Sequence, residues 1–345
     1  MVTRRTFLVQ GGAATLVAVA EPRGGDLVNT VSGPVEASTL GLTLTHEHIC
    51  ACTPDFWKRW PDSFGGRSGF VTRAVSMLQG LKEQGVGTLV DLSPHDVGRD
   101  IRLIEEISRR SGMRIVACTG QHLFATLSRS ADELVELFVT EIERGIDGTD
   151  VRAGVIKIAT AGDVIPPAEE AALRAAARAS KLTGVPIATH THARLRGGEF
   201  QAAILESEGI SPARVCLGHS DDSGDMDYLV GLARRGYILG MDHVNRGLNP
   251  DVRPSWRERA VQIKSLVDAG FTDQLFLSQD SVLGDAMLPA ERQGVREKTN
   301  PDGLFFNTRV LLDHLKGIGV SERQIQTITV DNPARFLSRG RAPGK

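Results

Sequence analysis

A short apolar, β-branched run, then a polar or glycine-containing break, then an amphipathic helix recurs eight times along this chain. That repeat constrains the fold more than any other feature. The runs fall at Leu42–Thr45, Val86–Asp91, Ile115–Cys118, Val155–Ala159, Val185–Thr189, Val215–Gly218, Tyr237–Met241 and Leu275–Ser278. Each is nearly continuous in apolar residues, the pattern of strands buried on both faces of a parallel sheet. Between the runs the spacing predicts helices. Phe70 to Gln84 sets Val71, Ala74, Val75, Leu78 and Leu81 on one stripe. Pro166-Pro167-Ala168-Glu169-Glu170 opens another, with proline at its start and acids in its first turn, running on to Leu182. Others cover roughly Asp100–Arg110, Ala131–Arg144, Glu199–Ser207, Met226–Arg235, Trp256–Ala269 and Asn307–Lys316. Eight such units close a (β/α)8 barrel, an α/β TIM barrel. An open doubly wound sheet is the alternative, but no Gly-x-Gly-x-x-Gly turn follows the first run. Leu27 to Val35 alternates apolar and polar residues around Gly33-Pro34, which predicts a short N-terminal β-hairpin ahead of the barrel.

The 345 residues could hold two average domains, yet a single α/β barrel also reaches this size. No linker or low-complexity segment divides them, so one domain is expected over 21–345. A net charge of −2 gives no electrostatic case for nucleic acid or an acidic membrane surface, leaving a small molecule as the expected partner. No internal apolar run approaches bilayer length. Residues 1–20 read as a signal peptide. Arg4-Arg5 precedes Phe7-Leu8, a weakly apolar stretch follows, and Ala18-Val19-Ala20 resembles a cleavage site. The paired arginines point to the twin-arginine route, hence to a periplasmic or envelope-associated protein with no membrane span once the signal is removed. Cys118 and Cys216 end apolar runs and read as buried, reduced packing residues. Cys50 and Cys52 are read the same way, although a C-x-C pair beside histidines could also hold a soft metal.

Reactive groups in such a barrel sit at the C-terminal ends of its strands. The first run ends in Thr45-His46-Glu47-His48, where alternation aims both histidines to one side, half of a transition-metal site. The same rule collects His190 after the fifth run, His219 after the sixth and Asp280 after the eighth. Lys157 lies inside the apolar run Gly154-Val155-Ile156-Lys157-Ile158-Ala159. Burying its charge costs several kcal/mol unless it is paired or neutralised. Burial lowers its pKa, and a neutral amine can react with carbon dioxide to give a carbamate able to bridge two divalent ions.

Thr43-Leu44-Thr45-His46-Glu47-His48-Ile49-Cys50, Gly154-Val155-Ile156-Lys157, Pro186-Ile187-Ala188-Thr189-His190-Thr191, Cys216-Leu217-Gly218-His219-Ser220-Asp221-Asp222 and Asp331-Asn332-Pro333-Ala334-Arg335-Phe336-Leu337 together resemble the bacterial phosphotriesterases, or aryldialkylphosphatases, of the amidohydrolase superfamily. The likeness runs from about Asn29 to Leu337. It implies a binuclear centre of divalent metal ions, zinc in the family. The more buried ion would take His46, His48 and Asp280, and the more exposed one His190 and His219. Carboxylated Lys157 and a hydroxide would bridge them. Two ions about 3.5–4 Å apart would activate that hydroxide to attack phosphorus in line with the leaving group. Asp280 would take the proton and pass it outward through His243 and Asp222. The family tends to homodimers.

The resemblance puts the substrate pocket at Cys50, Trp57, His122, Leu123, Arg246 and Ser281. Here the chain departs from the best-known phosphotriesterases. Gly120-Gln121-His122-Leu123-Phe124 replaces an aromatic pair, Ser281-Val282 replaces a tryptophan, and Arg246 stands for a second loop histidine. His192 is an extra imidazole on the same strand face as His190, read as a rim residue. A smaller, more polar pocket suits lactones or aryl esters as well, since an activated hydroxide attacks a carbonyl by the same logic. Lactonases of this branch carry an arginine where this chain has His243, which keeps phosphotriester hydrolysis first and lactone or carboxylester hydrolysis second. A periplasmic metal-binding protein without catalysis is a third possibility, but it would need no proton route through His243 and Asp222.

Overall fold

The computed structural model describes residues 27–123, 129–287 and 290–339. The expected leader, 1–20, and Phe124 lie outside the described residues. Strands are β1 (Leu27–Thr30), β2 (Gly33–Glu36), β3 (Leu42–Ala51), β4 (Val86–Asp91), β5 (Arg114–Gln121), β6 (Val155–Ala159), β7 (Ile187–His190), β8 (Val215–Leu217), β9 (Ile238–Met241), β10 (Leu275–Leu277) and β11 (Val282–Asp285). Helices are α1 (Phe56–Arg59), α2 (Gly66–Glu83), α3 (Ile101–Ser111), α4 (Ala131–Glu143), α5 (Pro167–Thr183), α6 (Gly197–Ser207), α7 (Met226–Arg234), α8 (Trp256–Asp268), α9 (Ala290–Thr299), α10 (Leu312–Gly317), α11 (Glu322–Gln326) and α12 (Asn332–Leu337).

β1 and β2 form the expected hairpin, but its turn is Val31-Ser32, with Gly33-Pro34 already in the second strand. The remaining strands make one parallel sheet in the order β10-β9-β8-β7-β6-β5-β4-β3-β11. Strand follows strand in sequence from β3 to β10, as the repeat predicts. The eighth strand is broken, and its two halves face different neighbours. β10 pairs with β9, whereas β11 pairs with β3. The four residues between them also bind β3. The His46 N–H donates to Ser278 Oγ at 2.9 Å, the Asp280 N–H to the His46 carbonyl at 3.0 Å, and the His48 N–H to the Ser281 carbonyl at 2.9 Å. The first strand and the broken last strand thus close the barrel.

The first strand is longer than its apolar run, reaching Ala51, so His46 and His48 lie within it rather than beyond its end. Its register against β4 shifts between Leu44 and Glu47, and the Asp91 carboxylate accepts the Ile49 N–H at 2.8 Å. A bulge of this kind re-aims side chains at a barrel rim. β11, α9, α11 and α12 were not expected as elements, because Ser278-Gln279-Asp280-Ser281 interrupts one apolar run and the last three helices are short or polar.

Helix starts carry their own sequence signals. Ser130 with Glu133 and Ser255 with Glu258 form capping boxes on α4 and α8, and α5 starts at Pro167 with Glu169 and Glu170 in its first turn. The core has two compartments. One packs helices on the outside of the barrel, around Leu78, Ile107, Phe138 and Ile263. The other fills the barrel interior with Val90, Val116, Cys118, Val155, Ala188, Cys216, Ile238 and Phe276, closed off by Val28, Leu40 and Phe336. All four cysteines are free and buried, as packing residues. Among the described residues no helix is long and apolar enough to cross a membrane.

Candidate metal centre

β3, β6, β7 and β8 bring His46, His48, Lys157, His190 and His219 to one end of the barrel, and the break in the eighth strand adds Asp280. Asp280 holds a left-handed backbone (φ 47°), as does His219 (φ 58°), where each chain turns sharply off its strand. Three sets of donors have their ligand atoms within 4.8 Å of one another: His46, His48 and Asp280; His219, His243 and Asp280; and His46, His219 and Asp242.

The hydrogen bonds sort these atoms. His46 Nδ1 lies 2.7 Å from Asp242 Oδ2, His219 Nδ1 2.8 Å from Asp242 Oδ1, and His48 Nδ1 2.8 Å from Ser93 Oγ. An imidazole whose Nδ1 is held by a carboxylate or hydroxyl turns its Nε2 lone pair the other way, the usual arrangement behind a metal ligand. The Nε2 atoms do converge. His48 Nε2 is 3.1 Å and His46 Nε2 is 3.7 Å from Asp280 Oδ1, and His46 Nε2 is 2.8 Å from Lys157 Nζ. His219 Nε2 lies 2.8 Å from His190 Nδ1. Asp242 is therefore a holder of two histidines rather than a third ligand of that set.

Charge follows burial. Burial, then Lys157, pushes His46 and His190 well below the usual histidine range, and burial with His243 does the same for His219. Burial also lowers the Lys157 ammonium, against the pull of Asp280 and Asp242. Neutral imidazoles and a neutral amine are the forms that bind a metal or carbon dioxide. Asp280 behaves oppositely. Burial would raise it, but Arg246, His243 and His48 hold its carboxylate well below the usual range. This donor set fits two divalent ions: three imidazoles that burial keeps neutral, with His48 beside them, an ionised carboxylate, and a lysine 2.8 Å from His46 Nε2.

Asp280 leads outward. His243 Nε2 is 2.9 Å from Asp280 Oδ2 and His243 Nδ1 is 2.8 Å from Asp222 Oδ2. Burial and Arg246 press the His243 pKa down, but Asp222 and Asp280 outweigh them and raise it to about 9. The Arg246 guanidinium also donates to Asp280 Oδ2.

A scan of the sequence against family models matches the Phosphotriesterase family over residues 26–337. The chain belongs to the phosphotriesterase family. It is 35% identical over 324 residues to the phosphotriesterase homology protein of Mycobacterium tuberculosis, covering 90% of this chain and 98% of that one. It is 32% identical over 312 residues to an aryldialkylphosphatase of Saccharolobus solfataricus, covering 88% and 97%. The solved structure of the phosphotriesterase from Mycobacterium tuberculosis superposes with a TM-score of 0.84 at 33% identity, over 91% of this chain and 98% of that chain. This family of hydrolases is binuclear and metal-dependent, and the clusters above are its candidate ligands here.

In this phosphotriesterase-family protein a cleft of about 480 Å³ opens beside Asp280. Of the expected pocket residues it is lined by Arg246 and Ser281; Met77, Val252, Val282, Leu283, Val295 and Leu304 form its apolar part, and Arg73, Arg296, Glu297, Asn245 and Asn249 are among its polar part. The other four, Cys50, Trp57, His122 and Leu123, do not line this cleft. Cys50 is buried in the core with Phe70 and Ile49, and Trp57 packs into an aromatic cluster with Phe56, Phe64 and Phe70, so neither lines this cleft. His122 sits instead beside the histidines, its ring 5.1 Å from that of His190 and its N–H on the Asp96 carboxylate. Burial, then Lys157, lowers its pKa to about 3. Leu123 is partly exposed at the next position, and His192 is exposed.

The residues that hold the centre were not found from the sequence. Asp221 stands inside the Cys216–Asp222 motif and Asp242 directly before His243, both acids at strand ends, but nothing in their spacing separates a holder from a solvated loop acid. Ser93 gives no signal at all. Glu47, between the two histidines, is fully buried. Its Oε1 accepts Ser278 Oγ at 2.7 Å and the Gln279 N–H at 3.1 Å, and its Oε2 accepts the Ser281 N–H at 2.8 Å.

Proposed function

We propose that this protein is a two-metal hydrolase acting on phosphotriesters. The observation that carries the reading is the convergence of six ligand-type side chains on one barrel end, with Asp280 joined to a His243–Asp222 chain leading away from it. His46, His48 and Asp280 would hold one ion, His190 and His219 the other, and carboxylated Lys157 would span both. Bound there, divalent ions (zinc in the family) polarise the substrate's phosphoryl or carbonyl oxygen and make water a nucleophile at neutral pH.

The side chains supply the rest. Asp242 and Ser93 fix three imidazoles so that their Nε2 atoms face the substrate side. Asp280 takes the proton of the attacking water at Oδ2 and hands it to His243 Nε2 in the neutral imidazole whose own proton sits on Nδ1. His243 then releases its Nδ1 proton to Asp222 Oδ2, on a side chain that is partly exposed to solvent. Arg246 and Ser281, on the cleft wall, orient the substrate.

A second reading has its own support. The cleft lining holds no aromatic side chain among the described residues, and Arg246 reaches the site from the loop after β9. The apolar residues of the cleft can take an acyl chain, and the Arg246 guanidinium beside Asp280 a carbonyl oxygen, which supports lactones or carboxylic esters as substrates of the same centre. Parallel kcat/KM values for zinc-loaded protein on an aryl dialkyl phosphate, an aryl ester and a γ-lactone separate the two. Inertness toward all three sinks both. Export by the twin-arginine route and a homodimer belong to the same proposal, tested by N-terminal sequencing of the exported protein and by sedimentation.

A further inference from the structure

The proton route proposed above ends at Asp222, and behind it lies a guanidinium that no motif announces. Arg259, in the first turn of α8, is fully buried. Its Nη1 donates to Asp222 Oδ1 at 2.7 Å and to Asp221 Oδ2 at 3.1 Å, and its Nε donates to the Pro254 carbonyl at 2.8 Å. Asp222 thus divides its oxygens, Oδ2 to His243 and Oδ1 to Arg259. Asp221, wholly buried, accepts the backbone N–H groups of both Asp242 and His243 at 3.1 Å. One arginine therefore braces the last carboxylate of the route and the peptide segment bearing the histidine before it.

Two buried carboxylates side by side repel each other and are costly to desolvate, so without a shared cation one would swing out or protonate. A charge-assisted bond from a planar guanidinium fixes direction as well as charge. With Asp222 fixed, His243 keeps its Nδ1–H toward it and presents Nε2 to Asp280. A swing of Asp222 would release the imidazole and unmake the Asp280 contact. We infer that Arg259 is a positioning residue for hydrolysis, clamping Asp222 so that His243 stays aimed at Asp280.

The inference rests on the proton route of the proposed function, and the test keeps the two apart. Arg259→Lys is made in the wild-type chain and in Asp222→Asn, and kcat, KM, metal content and thermal midpoint are measured on an aryl triester and an aryl ester. A single ammonium cannot brace both carboxylates. The expected result is a loss in kcat of roughly tenfold to a hundredfold at near-parental KM and metal content in the wild-type chain, the size of a misplaced catalytic group. In Asp222→Asn the same change costs little more, because nothing is left to clamp. Equal losses in both backgrounds, or none in the wild-type chain, overturn the positioning role. Full kcat in Asp222→Asn itself overturns the proton route, and the inference with it. Should Arg259→Lys not fold, Asp221→Asn/Arg259→Met removes one buried charge of each sign and leaves an amide oxygen for the two backbone N–H groups. The same fall in kcat is expected of it, and a folded double variant with parental kcat refutes the clamp.

Discussion

Asp242 shows how much of the site hangs on one residue. Its two oxygens hold two imidazoles from different strands, His46 on β3 and His219 after β8. Asp242→Asn replaces one of those acceptors by a donor, so one histidine must flip its tautomer and turn an N–H toward the metal position. A loss of metal affinity of roughly 10- to 100-fold is expected, measured by chelator competition on the purified protein. Lys157 makes a second case. Lys157→Met keeps the apolar run intact but removes the amine on which the proposed carbamate would form, so metal content should fall below two ions per chain. Short-chain carboxylates added to the variant should restore part of the activity. Undiminished metal content and activity would exclude a carbamate. The ligand candidates were legible in the sequence because a lysine or histidine inside an apolar run is conspicuous. Asp242 and Arg259 were not, since an acid at a strand end and an arginine early in a helix look like solvated residues until three strands and a helix are brought together.

At the scale of elements, the broken eighth strand decides the geometry. Glu47 meets the break with three hydrogen bonds, which leave Asp280 in its left-handed conformation between Gln279 and Ser281. Glu47→Gln turns one buried acceptor into a donor facing an N–H, a mismatch costing roughly 1–3 kcal/mol. Urea unfolding should show that loss, and kcat should fall with it because Asp280 is no longer fixed. The strand–helix alternation was readable over most of the chain, whereas β11 was not, because pairing with β3 and not hydrophobic pattern makes it a strand. Away from the site, α5 and the end of α6 are tied by Arg174 and Arg178 to Glu208. The Arg178 hydrogen bond, against the opposing effect of burial and with the help of Arg174, lowers the Glu208 pKa to about 2 from a usual 4.5. A depressed carboxylate stabilises the fold above its unfolded value, and that contribution fades as pH falls from about 4.5 toward about 2. Glu208→Gln should therefore lower the thermal midpoint at neutral pH and converge on the wild type in acid. A constant difference between the two across that range would place the effect elsewhere.

For the whole molecule, the candidate ligands come from five positions around the barrel, so bound ions would tie strands that are otherwise linked only through their neighbours. Anything that binds the folded state alone stabilises it by mass action, about 4 kcal/mol at a thousandfold excess over its Kd. Chelation should lower the thermal midpoint by several degrees, reversed by zinc, with little change in far-ultraviolet circular dichroism at 25 °C. The barrel interior explains why the fold would persist: Val90, Val116, Val155, Ala188, Ile238 and Phe276 pack it without help from the mouth.

The seam between β3 and the broken last strand also imposes an order on synthesis. His46 and His48 emerge with the first barrel strand, but the carboxylate that completes their set arrives only with Asp280, after seven further strand segments. Before that point the chain offers this set its two imidazoles and, once β6 is made, Lys157. If His46, His48 and Asp280 hold one ion as proposed, its firm capture waits until synthesis has passed the eighth strand, with α9 to α12 still to come.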